Sequence, residues 1–328
     1  MSSAVRVAWL AILAGFLLPV GGQNATPLVI KEEGSFFVGG ETKTLPSGGG
    51  DITVNQMYVQ FQVPAGSETR VPVVMVHGCC LNSKSWETTP DGRVGWSEYF
   101  VRRNHAVYLT DQVARGRSGF DGTLVAAKPS TIRITTHQMV WSMFRLGPKF
   151  NTPWSDGQFP VEAADELYKQ IMPDLNATLP DTNPTWANLA ALAARLKRAV
   201  LMGHSQAGFF PELAAVTNPA GVKGIVSIEM PCGPLPDAQL SLLVRIPILI
   251  LFGDHLDPAG AYELESCQKF VQQMRQKGGR VELMNLPKMG IKGNSHMLMQ
   301  DRNNLQIADL ILGWIAREVE GRPATKPK

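Results

Sequence analysis

The sequence predicts an α/β fold: a mostly parallel central sheet, helices on both of its faces, and a helical insertion set into one crossover. Three observations predict it. Short runs of Val, Ile and Leu alternate with longer stretches of helical pattern. Most of these runs end on glycine or a carboxylate. One connection, residues 111–198, is far longer than a crossover helix requires.

The chain opens on a segment that reads as an export signal. Arg6 supplies a positive start, and Val7 to Val20 is uncharged and apolar. That stretch is short of the roughly 20 residues that span a bilayer. Val20-Gly21-Gly22 offers small residues at a cleavage site. Residues 1–22 are therefore set apart as a signal peptide, with an uncleaved anchor as the alternative. Residues 23–328 form one domain, and no stable membrane anchor is expected of it.

The strands follow in order. Met57–Val63 has strand character, and Val71–Val76 runs into His77-Gly78. Ala106–Thr110 ends at Asp111, Ala199–Met202 at Gly203, Val222–Ile228 at Glu229, and Ile248–Phe252 at Gly253-Asp254. Val281–Leu286 is the last. Uninterrupted apolar runs mark strands buried on both faces, as parallel strands are. Helical patterns cover 95–103, 211–216, 259–277 and 304–318. Ser47 to Gly50 is a loop, and Gly321–Lys328 a polar tail. Within the long connection, 136–144, 161–171 and 185–195 look helical among many prolines and tryptophans. Residues 122–181 are read as a lid over the C-terminal edge of the sheet. The alternative is an extension that only covers the sheet.

Composition narrows the partners. Apolar residues make up 44% and charged residues 18% of 328, enough for a sizeable core. A formal charge of +3 without a Lys/Arg cluster is too small to point to nucleic acid, and none is expected as a partner. No CxxC or HExxH pattern is present, so no metal and no cofactor are expected.

The chemistry centres on Gly203-His204-Ser205-Gln206-Ala207-Gly208. An apolar strand precedes Ser205 and a helix follows. A serine at such a turn sits at a sharp tip with strained backbone angles, so its neighbours two residues away must be small. The pattern resembles the nucleophile elbow of the α/β-hydrolase fold and marks Ser205 as the expected nucleophile, a glycine-rich turn with an ordinary serine being the alternative. Acyl transfer also needs an oxyanion hole. One donor is the Gln206 N–H. The other comes from His77-Gly78-Cys79-Cys80, with Cys79 assigned and Cys80 the alternative. His77 reads as a turn residue. The order nucleophile, acid, histidine leaves His255 and His296 as bases, since they alone among six histidines follow Ser205. His255 stands where an acid is expected. His296, in a small-residue loop before the final helix, is the base, unless it is a plain surface histidine. Of eight acidic residues between Ser205 and His296, three stand at strand ends: Glu229, Asp254 and Asp257. The usual acid position after the seventh strand favours Asp254 or Asp257. For Asp254, capping the helix near Pro258 or holding the loop is the other reading.

Several segments together resemble a small group of exported bacterial esterases of the α/β-hydrolase superfamily. They are Val76 to Cys80, Trp86 to Arg93, Asp111-Gln112, Arg115 to Ser118, Gly203 to Gln206, Phe252 to His255, Gly293 to Met297 and Gln300 to Asn304. The likeness spans nearly the whole mature chain. It implies ester hydrolysis, a capped pocket and a Ser-His-Glu triad with Glu229 as the acid. Glu229 follows the strand run Val222–Ile228, and its extra methylene suits reaching across from a neighbouring strand.

An exported chain can oxidise its four cysteines, for which three connectivities exist. Local pairing is expected, as Cys79–Cys80 and Cys232–Cys267. An adjacent pair is a strained ring, its Cα atoms about 3.8 Å apart, yet it would stiffen the oxyanion turn. Two reduced thiols there are the alternative. The sequons at Asn24 and Asn176 matter only in a eukaryotic host.

The expected activity is carboxylic ester hydrolysis through an acyl-enzyme. An acyltransferase or lactonase with the same residues is the rival, because the fate of the acyl-enzyme depends on what attacks it. A binding protein on this fold would ordinarily have lost a triad member. Epoxide and haloalkane hydrolysis need a carboxylate where Ser205 stands. The expected partner is a small-molecule ester, and a homodimer is compatible with everything above.

Overall fold

The computed structural model describes residues 26–323. The signal segment 1–22, Asn24 and the end of the polar tail lie outside the described residues. Eight strands form one sheet in the order β1-β2-β4-β3-β5-β6-β7-β8. They are β1 Ile30–Thr44, β2 Asp51–Pro64, β3 Val73–Val76, β4 Val107–Asp111, β5 Ala199–His204, β6 Val222–Ile228, β7 Ile248–Phe252 and β8 Val281–Asn285. From β4 to β8 the sheet is parallel, while β1–β2 and β2–β4 pair antiparallel. Strand β1 was not expected. Its sequence carries charges and glycines and stays mostly exposed, so it lacks an apolar signature. It is held by a long hairpin register with β2, from Ile30 opposite Pro64 to Thr44 opposite Asp51.

Strands β3, β5 and β7 are buried along their whole length, so alternate residues feed two cores. Val74, Val76, Leu201, Ile225 and Ile250 face one side. There they meet α5 (Pro184–Leu196), α6 (Phe210–Thr217), α7 (Asp237–Leu243) and α8 (Pro258–Gln276). Val73, Met75, Val200, Met202, Val226 and Leu249 face the other side. They pack on α1 (Trp96–Arg102) and α9 (Asn304–Trp314).

The insertion carries α2 (Gly122–Ala127), α3 (His137–Met143) and α4 (Ala164–Gln170). Helix α2 buries none of its residues. The later part is different: Val140, Trp141, Phe144, Leu146, Phe159 and Leu167 are buried in the second core. Among the described residues, no helix is long and apolar enough to cross a membrane.

Candidate active site

Strand β5 ends at the elbow. Ser205 has φ of 54°, in the left-handed region that side chains rarely adopt. A Cβ at Gly203 would strike the Ala207 carbonyl and lie 3.0 Å from Pro211 Cδ, so only glycine fits this turn. A Cβ at Gly78 would lie 2.8 Å from Ser205 Cβ. The loop after β3 therefore runs against the elbow, and Cys79 follows at once. Cys79 and Cys80 are disulfide-bonded, as are Cys232 and Cys267.

His296 enters from the loop before α9. Its Nε2 is 2.8 Å from Ser205 Oγ, and its Nδ1 is 3.1 Å from Glu229 Oε2. The backbone holds the ring at both ends: the His296 N–H donates to the Phe144 carbonyl at 3.0 Å, and its carbonyl accepts from His204 Nε2 at 2.8 Å. The loop itself is folded around Asp301. That buried carboxylate accepts from Asn294 Nδ2, the Ser295 N–H and Ser295 Oγ at 2.9, 2.9 and 2.6 Å. Burial pushes the Asp301 carboxyl up to about 6, against these hydrogen bonds. Arg93 gathers the carbonyls of Gln300, Asp301 and Arg302 behind it.

Glu229 stands one residue past β6, 1% exposed and itself at φ of 54°. Its Oε1 accepts from Arg145 Nη2 at 2.7 Å and from the Gly253 N–H. Burial alone would raise its carboxyl. The Arg145 charge and the bonds from His296 and Gly253 outweigh that and bring it to about 2. Burial also lowers the His296 imidazole; Glu229 opposes this and Arg145 reinforces it.

The two aspartates after β7 are occupied elsewhere. Asp254 accepts from the N–H groups of His255 and Gly293, at 2.8 and 2.9 Å. It holds the loop. Asp257, not Asp254, caps α8, accepting from the Gly260 N–H at 2.8 Å. His77 is fully buried, with Nε2 accepting from the Gln112 N–H at 3.1 Å, and burial lowers it to about 4. It is part of the turn.

Sequence reasoning missed four residues here. Arg145 and Asp174 come from the insertion. Asp174 accepts from Gln206 Nε2 at 2.9 Å, lies 3.1 Å from Cys79 Sγ and pairs with buried Arg115. His204 holds the His296 carbonyl, and Asp301 holds the loop ahead of it through Asn294 and Ser295. Asp301 belongs to the Gln300–Asn304 run that carried the family resemblance, which was the one signal for it; a lone arginine or aspartate in a long connection gives none. Among the described residues, Asp156, Asp254 and His255 have metal-ligand chemistry within reach of one another. They already bond to each other and to backbone: His255 Nε2 lies 2.9 Å from Asp156 Oδ1.

No family model matches the chain. A probable secreted lipase, phiG, from a fungus (Fungal sp., strain ATCC 74256), is 28% identical over 340 residues, covering 86% of this chain and 89% of the lipase. The atomic-resolution structure of a novel bacterial esterase superposes with a TM-score of 0.85 at 44% identity, covering 90% of this chain and 98% of that one. Eight strands in this order, a serine at the elbow and this degree of identity lead to one conclusion: the chain belongs to the esterases of the α/β-hydrolase superfamily and is a carboxylesterase.

Proposed function

We propose that ester hydrolysis runs through a Ser205–His296–Glu229 triad and an acyl-enzyme. The observation that carries the reading is the unbroken relay of 2.8 and 3.1 Å from Ser205 Oγ through His296 to Glu229. In the productive tautomer, Nδ1–H donates to Glu229 and Nε2 accepts the Ser205 proton. Ser205 Oγ bonds to the ester carbon as Nε2 takes its proton. The oxyanion is held by the N–H groups of Cys79 and Gln206. The C–O bond to the alcohol breaks, and the alcohol leaves with the proton from Nε2. Water then repeats the sequence on the acyl-enzyme, releasing the acid and restoring Ser205.

Residues 122–181 act as the lid of this site within a single domain. Phe144 stacks on the His296 ring, centroids 5.6 Å apart, which supports the reading. The enzyme is exported, its signal being 1–22; the Cys232–Cys267 disulfide and the secreted relative favour that. The substrate is a small carboxylic ester.

Ser205→Ala is the test. With p-nitrophenyl esters its kcat is expected to fall on the order of 10⁶-fold while the fold persists. A purified, folded variant that keeps a tenth of the activity would end the assignment.

A further inference from the structure

The triad as proposed leaves one charge unexplained. Arg145 lies just past α3, in the insertion, at φ of 56°. Its side chain is 6% exposed. Two guanidinium nitrogens donate into the site, Nη2 to Glu229 Oε1 at 2.7 Å and Nε to the Asp254 carbonyl at 2.9 Å, while Nη1 stands 3.2 Å from His296 Nδ1. A buried cation touching both the acid and the base of such a relay is not needed to complete it.

We propose that Arg145 is a positioning residue of the esterase, which fixes the Glu229 carboxylate by its Oε1 edge and holds down the basicity of His296. The inference rests on the triad reading above. The geometry argues both halves. Oε1 is taken up by Arg145 and the Gly253 N–H, so Oε2 is the oxygen left to face Nδ1–H. The guanidinium fork permits this because it is planar and its N–H directions are fixed. For the second half, the ring meets a carboxylate already paired with a cation. Protonation of His296 would set a second positive charge 3.2 Å from Nη1. The imidazole therefore stays neutral, and competent as a base, to lower pH than beside a lone carboxylate.

The other groups facing the ring do not replace this effect. His204 lies 4.8 Å away, centroid to centroid; burial takes it down to about 3, so it carries no charge at working pH. Ser205 is neutral. Asp257, at the start of α8, favours the imidazolium and so opposes Arg145. Glu263 of α8 feels Glu229 and Arg145, and burial pushes it up to about 7. Asp301, on the same loop as His296, is turned to Asn294 and Ser295.

The test is the pH dependence of kcat/KM for p-nitrophenyl acetate in the full-length enzyme, which reports the base in the free enzyme. Arg145→Met removes the charge and keeps apolar bulk; Arg145→Lys keeps the charge and loses the fork. The acid limb of the Met variant is expected to rise by about one to two pH units, as loss of a neighbouring cation requires. That of the Lys variant should stay near wild type while its kcat falls. If Arg145→Met does not fold, Arg145→Gln stands in for it with the same expectation. An acid limb that stays put or moves down in the charge-free variant overturns the proposal, because a merely structural arginine would lower activity equally at every pH. Ser205→Ala and His296→Ala, measured alongside, separate this from the triad. If either retains activity, the triad reading falls. If both are inactive and the limb is unmoved, only the role of Arg145 falls.

Discussion

The proposed role of Glu229 as the triad acid rests on single atoms. A carboxylate helps a triad histidine only if it is ionised and aimed at Nδ1, and Oε2 at 3.1 Å meets both conditions. Replacing it by the amide keeps the shape and removes the charge that supports imidazolium. Glu229→Gln should therefore lose about 10⁴ in kcat, by analogy with a triad aspartate. Asp254→Asn and Asp257→Asn should lose little by comparison, since their oxygens are spent on backbone N–H groups. Steady-state kinetics on the three variants checks this; a crippled aspartate variant beside a healthy Glu229→Gln would move the acid to the loop after β7. The residues alone left these three candidates open, because strand ends are visible in a sequence while the direction of a carboxylate is not. Ser205 was legible because its turn needs small neighbours at fixed spacing. Arg145 was not, because nothing local distinguishes an arginine that folds back over the sheet edge from one that points to water.

Elements were read with uneven success, and the reason is burial. Val222–Ile228 and Ile248–Phe252 match their apolar runs end to end, both strands lying inside the sheet. At the edge the pattern fails: β1 carries Lys31, Glu32 and Glu33, and only its hairpin partner makes it a strand. Helices α2 and α7 were also missed, both short and the former without a buried face. Helix α8 has a second fastening. Cys267 on it is bonded to Cys232, three residues beyond Glu229, closing 35 residues of chain. A cross-link of that length is worth roughly 3–4 kcal/mol against the unfolded chain. Replacing both cysteines by alanine should lower the urea stability by about 2–4 kcal/mol. Equal midpoints for the variant and the parent, with equal slopes, would show that the bridge contributes nothing.

At the scale of the whole molecule, one buried acid couples stability to pH without any part in the chemistry. Glu212, on α6, is fully buried and accepts from Ser227 Oγ at 2.7 Å. Burial pushes its carboxyl up to about 8. Between the usual carboxyl value of 4.5 and about 8, the folded protein holds a proton there that the unfolded chain has released. Stability therefore declines as pH rises through that window, by up to about 1.4 kcal/mol per pH unit from this group. Glu212→Gln should flatten the decline, so that thermal midpoints of variant and parent diverge from pH 5 toward pH 8. Parallel curves would exclude the carboxyl as the cause.

The same assembly has a consequence for the order of events as the chain matures. His296 meets Arg145 across 151 residues, Ser205 across 91 and Glu229 across 67. None of these contacts can form until the stretch ahead of the last helix has docked, and closing such distant loops comes late. On the proposed triad, a chain still being made therefore has the elbow without its base, and the onset of hydrolysis marks the completion of folding.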